Sequence, residues 1–109
     1  MTTSVDQLIA EAFKISTSAE TTKKRWNMVK KLLNEFGSDV DDCLETLKDP
    51  KTLFAWIDNK YAKSPVATKK ASLQYFVCIL DTPFARGLIG DDVFEIYRQK
   101  FLNCKTNLA

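Results

Sequence analysis

The sequence predicts an all-α domain of five or six helices packed around one core. Apolar residues recur three and four positions apart through most of the chain, which is the period of an amphipathic helix. Hydrophobic residues make up 45% of the 109 positions, and only three glycines and three prolines occur, so the composition is that of an ordered globule. We therefore expect residues 1–109 to form a single domain that buries roughly 65% of its unfolded-chain surface.

The first helix is expected within residues 1–17, beginning at Ser4. Ser4 and Gln7 have the spacing of a capping box, in which each side chain bonds to the backbone N–H of the other residue. Apolar residues then follow at helical spacing: Val5, Leu8, Ile9, Ala12 and Phe13. A polar stretch at 16–20, STSAE, separates this helix from the helices expected over 18–104.

The second helix is expected from about Ala19 to Phe36. Its apolar stripe is spaced by three and four residues and consists of Trp26, Val29, Leu33 and Phe36. Gly37 follows at once, in the position just past a helix end where a left-handed residue is favoured.

Acidic residues are expected to start the next two helices. Asp39 or Asp41 begins a short helix that carries Val40, Cys43, Leu44 and Leu47. Asp49-Pro50 begins another, with the aspartate as N-cap and the proline at the first helical position. Its apolar residues extend it to about Tyr61: Leu53, Phe54, Trp56 and Ile57.

The same pattern of cap and proline occurs at Ser64-Pro65 and predicts a long helix that ends near Asp81-Thr82-Pro83. Seven of the eight residues from 73 to 80 are apolar, so this helix is expected to be the central, most buried helix. A loop with Arg86, Gly87 and Gly90 follows, then a last helix from about Asp91 to Cys104 and a tail at 105–109. The core is expected to be led by Trp26, Leu33, Trp56, Phe76 and Leu80.

One short motif occurs twice, 46 residues apart. Residues 18–24 read SAETTKK and residues 64–70 read SPVATKK, so both contain Ser-x-x-x-Thr-Lys-Lys. In each copy the threonine and lysines fall in the first turns of a helix, where exposed N–H groups favour anions and lysines add positive charge. The repeat predicts a surface that holds phosphates, although ordinary capping and solvated lysines explain either copy alone equally well.

Charge is distributed unevenly along the chain, although the net charge is only +2. Residues 18–36 contain five basic and two acidic side chains. Residues 37–61 contain three basic and six acidic side chains, and residues 62–86 contain four basic and one acidic. This basic, acidic, basic order allows one face of the folded chain to meet a polyanion.

Several classes of chemistry are missing from the sequence. The absence of histidine excludes imidazole catalysis and histidine-ligated metals, and there is no glycine-rich phosphate loop or EF-hand spacing. Cys43, Cys78 and Cys104 are odd in number and far apart, as expected for thiols in a reducing cytoplasm or nucleus. We therefore expect a chain with no catalytic residues, cofactor, metal, membrane span or small-molecule substrate.

Three stretches, in order, resemble the N-terminal core-binding domain of tyrosine recombinases, the SAM-like helical domain of phage-type integrases. They are TTKKRWNMVKKLLNEFG, LKDPKTLFAWIDNKY and SPVATKKASLQYFVCIL, and the matching region runs from about Ser18 to Tyr97. The order and spacing of the three stretches carry the resemblance, because each is weak by itself.

The resemblance implies double-stranded DNA as the partner. In that family this domain clamps one face of the duplex, while a separate C-terminal domain cuts and rejoins the strand. Nothing in this chain supplies the catalytic residues of that second domain. The chain is therefore expected to be the N-terminal part of a recombinase that acts in DNA integration or recombination, beside a catalytic domain and other protomers, or a free-standing DNA-binding regulator.

The DNA contacts are expected from both copies of the repeated motif and from neighbouring polar residues. The candidate residues are Thr22, Lys23, Lys24, Arg25, Lys30, Thr68, Lys69, Lys70 and Gln74. Both copies are expected on one side of the molecule, since only cations that converge can grip a duplex. A different hypothesis is a helical protein-interaction module that uses the acidic residues of 39–45, and salt-dependent duplex binding separates the two.

Overall fold

The computed structural model describes residues 3–15, 20–39 and 41–106, with the side chains of 20–25 and 104–106 outside that description. The described residues form seven helices and no strand, which confirms the all-α prediction but exceeds the expected five or six helices. The helices are α1 (Val5–Ile15), α2 (Glu20–Phe36), α3 (Leu44–Lys48), α4 (Pro50–Lys60), α5 (Val66–Leu80), α6 (Pro83–Ile89) and α7 (Asp91–Thr106).

The ends of the first two helices follow the sequence signals. The backbone N–H of Ser4 donates to Gln7 Oε1 at 2.8 Å, and the N–H of Gln7 donates to Ser4 Oγ at 3.1 Å, which is the expected capping box. At the end of α2, Gly37 has a φ of 102° and the N–H of Ser38 donates to the carbonyl of Leu33 at 2.9 Å. Glycine is needed there because other residues rarely adopt that φ.

The expected start of α3 at Asp39 or Asp41 is wrong. The helix begins at Leu44, and no side chain caps it. Asp39 Oδ1 instead accepts the backbone N–H of Asp41 at 2.9 Å, so this carboxylate stabilises a local turn before the helix. Cys43 anchors the turn, because its N–H donates to the carbonyl of Thr3 at 2.9 Å and its side chain is fully buried.

The two predicted proline starts differ in detail. Pro50 occupies the first turn of α4 with Asp49 as N-cap, as expected, although the Asp49 carboxylate accepts the Thr52 hydroxyl at 2.8 Å instead of a backbone N–H. Ser64 does not cap α5. Pro65 is itself the N-cap. Its backbone is extended, with a ψ of 145°, so the helix begins at Val66.

The loop expected after α5 contains a further helix, α6. Thr82 Oγ1 accepts the N–H of Ala85 at 3.0 Å, and Pro83 fills the first turn. Gly90 ends the helix with a φ of 88°. Gly87 lies inside α6, and its low helix propensity, about 1 kcal/mol below alanine, made the segment resemble a loop.

α5 contacts α1, α2, α6 and α7, so its predicted central position is confirmed. Four of the five expected core leaders are buried: Trp26, Leu33, Phe76 and Leu80. Trp56 is only partly buried and packs edge-on against Phe36, with ring centroids 5.6 Å apart. The expectation for Trp56 is wrong because this ring lies at the margin of the core, under the Lys60 ammonium.

Tyr97 occupies the core position where α4, α5 and α7 meet. It is 1% exposed, and its ring lies 5.2 Å from that of Phe54 and 6.3 Å from that of Phe76. The hydroxyl donates to the carbonyl of Leu47 at 2.7 Å, at the end of α3, where helix carbonyls lack intrahelical partners. Burial raises the pKa of Tyr97, so the phenol remains a neutral donor.

Candidate nucleic-acid interface

Four polar residues of α2 form one outward face of that helix, at i, i+3, i+4 and i+7. They are Asn27, Lys30, Lys31 and Asn34, and they line an open depression of about 410 Å³. We call these four residues the α2 outer face. The opposite side of the helix is buried through Trp26, Val29 and Leu33. The fold thus fixes α2 by its apolar stripe and leaves a polar stripe, with two cations and no acid, toward solvent.

The two lysines of the α2 outer face differ in their partners. Lys30 Nζ lies 3.0 Å from Asp6 Oδ2 of α1, with side chains 41% and 63% exposed. An ion pair this exposed contributes little, so it exchanges readily for another anion. Lys31 is exposed and forms no ion pair with a described residue. Glu35 is the nearest acid along α2, and it pairs with Lys60 of α4 at 3.1 Å.

The two amides of the α2 outer face have no evident structural role. Asn27 and Asn34 are exposed, and neither side chain hydrogen-bonds to a described residue. Asparagine is a weak helix former, so helix stability does not explain two of them in α2. Asn27, Lys31 and Asn34 were not among the candidate residues predicted from the sequence. The signal for them was present as the spacing N-x-x-K-K-x-x-N.

The first copy of the repeated motif lies in the opening turns of α2. The backbone of residues 22–25 is helical, and this segment precedes Asn27 by about one turn. The side chains of Thr22, Lys23, Lys24 and Arg25 lie outside the described residues. The expectation that both copies share one side of the molecule therefore stays a prediction.

Lys69, in the second copy, belongs to an ion-pair cluster between helices. It continues the buried stripe of α5 that includes Leu73 and Phe76, and its side chain is 25% exposed. Its ammonium lies 2.5 Å from Asp58 Oδ1 of α4, while Lys100 of α7 lies 2.9 Å from Oδ2 of the same carboxylate. Asp58 thus joins three helices and neutralises part of the charge that the motif supplies.

The Asp58 carboxylate is ionised at neutral pH. Burial raises its pKa, but hydrogen bonds and ion pairs from Lys69 and Lys100 outweigh that effect, so the pKa lies below its ordinary value. Lys69 is consequently less available to a phosphate than its position in the motif suggested.

Lys70 and Gln74 remain on the outward side of α5. They are four residues apart, so they neighbour each other on the helix surface. Gln74 and Thr68 are exposed, and Lys70 is partly buried without an ion pair to a described residue. The structure therefore places Lys70 and Gln74 together and separates them from Lys69.

The acidic stretch 39–45 presents a second charged surface. Asp41, Asp42 and Glu45 are exposed and form no ion pair with a described residue. The carboxylate of Asp39 is engaged with the backbone of Asp41. This surface carries the charge that a basic protein partner requires.

The thiols in the described part of the chain are neutral at physiological pH. Burial raises the pKa of Cys43 to about 11, and burial also raises the pKa of Cys78. Among the described side chains, no three Cys, Asp or Glu residues come close enough together to hold a metal ion. No described helix combines the length and hydrophobicity needed to span a bilayer.

Comparison of the chain with protein-family models, with curated proteins and with solved structures finds no match. The resemblance to recombinase core-binding domains thus depends on the three sequence stretches alone.

Proposed function

We propose that this chain is a non-catalytic domain that binds duplex DNA through the α2 outer face. The observation that carries the proposal is the composition of that face: two lysines and two amides that make no hydrogen bond to a described residue, with no acidic residue among the four. Lysines supply the phosphate contacts that dominate affinity, and amides suit base edges or sugar oxygens. The major groove of B-DNA, about 12 Å wide, admits an α-helix.

The proposal includes the other contacts that the sequence predicts. Lys23, Lys24 and Arg25 belong to the same helix, and Lys70 with Gln74 supplies a further polar pair on α5. The recombinase resemblance adds a biological setting, in which this domain clamps DNA and a catalytic domain elsewhere cuts it. That setting is supported by the sequence stretches and is part of the proposal.

The affinity is expected to be modest. A small domain that contacts a few phosphates binds non-specific duplex with a Kd of about 10⁻⁴–10⁻⁶ M at physiological salt. In the cell, such a domain gains effective affinity from linked domains or neighbouring protomers.

The test compares two double variants that remove the same charge. Lys30→Gln/Lys31→Gln alters the α2 outer face, and Lys48→Gln/Lys51→Gln removes two exposed lysines from α3 and α4. Fluorescence anisotropy with a labelled duplex, repeated over a series of salt concentrations, gives the slope of log K against log salt. We expect the α2 variant to reduce the slope by about 2, because each lost phosphate contact removes about 0.9.

The Lys48/Lys51 control should change that slope much less. Equal effects of the two variants would show that net charge, and not the α2 outer face, determines binding. Circular dichroism of both variants controls for folding.

A second candidate function follows from the exposed acids Asp41, Asp42 and Glu45. These residues fit a basic protein partner, and the chain would then act as an interaction module. A folded protein that shows no salt-dependent duplex binding at any salt concentration would favour this candidate.

A further inference from the structure

We infer that Asn27 and Asn34 read base identity, each by pairing with an adenine in the major groove, at positions two or three base pairs apart. The inference deepens the proposed function and rests on it. The two exposed amides make no hydrogen bond to a described residue and stand at the two ends of the α2 outer face.

The chemistry of the amide selects adenine. The carboxamide oxygen accepts a hydrogen bond from the adenine N6 amino group while the carboxamide nitrogen donates to N7, so one side chain satisfies both groups of the base edge. Guanine offers two acceptors at the same positions, which suit a cation better. Asparagine is also less favourable than alanine inside a helix, so these positions carry a polar group at a cost to helix formation.

The spacing of the two amides fits the spacing of base pairs. Seven residues separate them, and an α-helix rises about 1.5 Å per residue, so they stand about 10 Å apart along α2. Successive base pairs are about 3.4 Å apart along the duplex. A helix that lies in the groove therefore places the two amides over base pairs separated by about two or three steps.

The lysines between the amides complete the arrangement. Lys30 and Lys31 lie one turn from each asparagine, where a flexible cation reaches a phosphate or the acceptors of a guanine. The ion pair of Lys30 with Asp6 is exposed and opens at little cost. An A-form RNA duplex does not offer the same surface, because its major groove is too narrow for side chains to read.

The experiment selects bound duplexes from a library with eight randomised base pairs and sequences them. The wild-type protein should enrich two A·T pairs two or three steps apart. Asn34→Ala should abolish the A·T preference at one position, and Asn27→Ala should abolish it at the other. Each preference should correspond to a roughly 5- to 150-fold higher affinity for A·T than for the other base pairs, and this factor should be lost in the variant. Asn34→Gln keeps an amide and should retain part of the preference.

Asn59→Ala is the matched control, because Asn59 is an exposed asparagine of α4 that does not line the α2 outer face. It should leave both preferences intact. All three alanine variants favour helix formation, so a lost preference is not explained by unfolding.

The outcomes separate this inference from the function on which it rests. Salt-dependent duplex binding without an A·T preference, or with a preference that both alanine variants leave unchanged, would overturn the base-reading role and leave DNA binding intact. Absence of duplex binding would overturn both. Equal binding of the matching RNA duplex, or of an acidic peptide, with the same asparagine dependence would also contradict the base-reading role.

Discussion

At the scale of single residues, surface charges in this protein are distinguished by their partners. Four lysines look equivalent in the sequence, yet each has a different environment in the fold: Lys30, Lys31, Lys69 and Lys70. Lys69 reaches Asp58, which lies eleven residues earlier on another helix, and that contact depends on how α4 and α5 pack. Lys31 forms no ion pair with a described residue. Availability to an anion follows from these contacts and not from the motif.

Asp58→Asn should lower stability in a pH-dependent way. The pKa of Asp58 is depressed in the folded protein, so its contribution is present above the unfolded value of about 4 and is lost as pH falls through the folded pKa. The side chain is 42% exposed, so solvent screens both ion pairs and the loss at pH 7 should be about 0.5–1 kcal/mol. Urea unfolding of wild type and variant should differ at pH 7, and should differ less at a pH below the depressed folded pKa. An equal difference at both pH values would mean that the ion pairs are not the cause.

Tyr97→Phe should cost about 1–3 kcal/mol of unfolding free energy, because the Leu47 carbonyl would stay buried without its donor. Tyr75→Phe is the control, since Tyr75 is only partly buried and its hydroxyl has no hydrogen bond to a described residue. Chemical denaturation of both variants checks the comparison. A Tyr97→Phe variant as stable as the Tyr75→Phe variant would show that the hydroxyl contributes only packing.

At the scale of helices, capping chemistry determined which boundaries were predictable. The Ser4–Gln7 box and the glycine after α2 are local patterns, and both were predicted correctly. The predicted helix starts were wrong where the expected cap had another partner, as with Asp39, or where a proline had an extended ψ, as with Pro65. These choices depend on the neighbouring chain and are not visible in the local sequence.

Thr82→Ala should destabilise the protein by about 0.5–2 kcal/mol through loss of the α6 N-cap. Thr82→Ser keeps the hydroxyl and should recover most of that loss. Hydrogen exchange should show the protection of α6 amides decreasing in the alanine variant before that of α5. Unchanged protection throughout α6 would mean that packing alone holds this helix.

At the scale of the whole molecule, the apolar pattern predicted the helical class and the central position of α5. It did not predict the buried position of Tyr97, because a tyrosine on an apolar stripe is compatible with both the core and its margin. Only part of the candidate site was predictable from the sequence. The lysines of α2 form a basic run that is recognisable in the sequence. The asparagines could be assigned to the same outward face only once the buried face of α2 was known.

In the proposed function α2 is the main contact with DNA. This helix carries five basic residues: Lys23, Lys24, Arg25, Lys30 and Lys31. Basic residues on a single helix can engage one groove and its flanking phosphates together. On α5, Lys70 forms no ion pair with a described residue, whereas Lys69 and Lys100 are engaged by Asp58.

The most direct measurement is the salt dependence of duplex binding by the wild-type protein. If five side chains each neutralise one phosphate, log K should fall against log salt with a slope of about −4 to −5. A slope in that range, reduced by about 2 in Lys30→Gln/Lys31→Gln, is the predicted result. A folded protein whose duplex binding is absent, or does not change with salt, would contradict the proposed function.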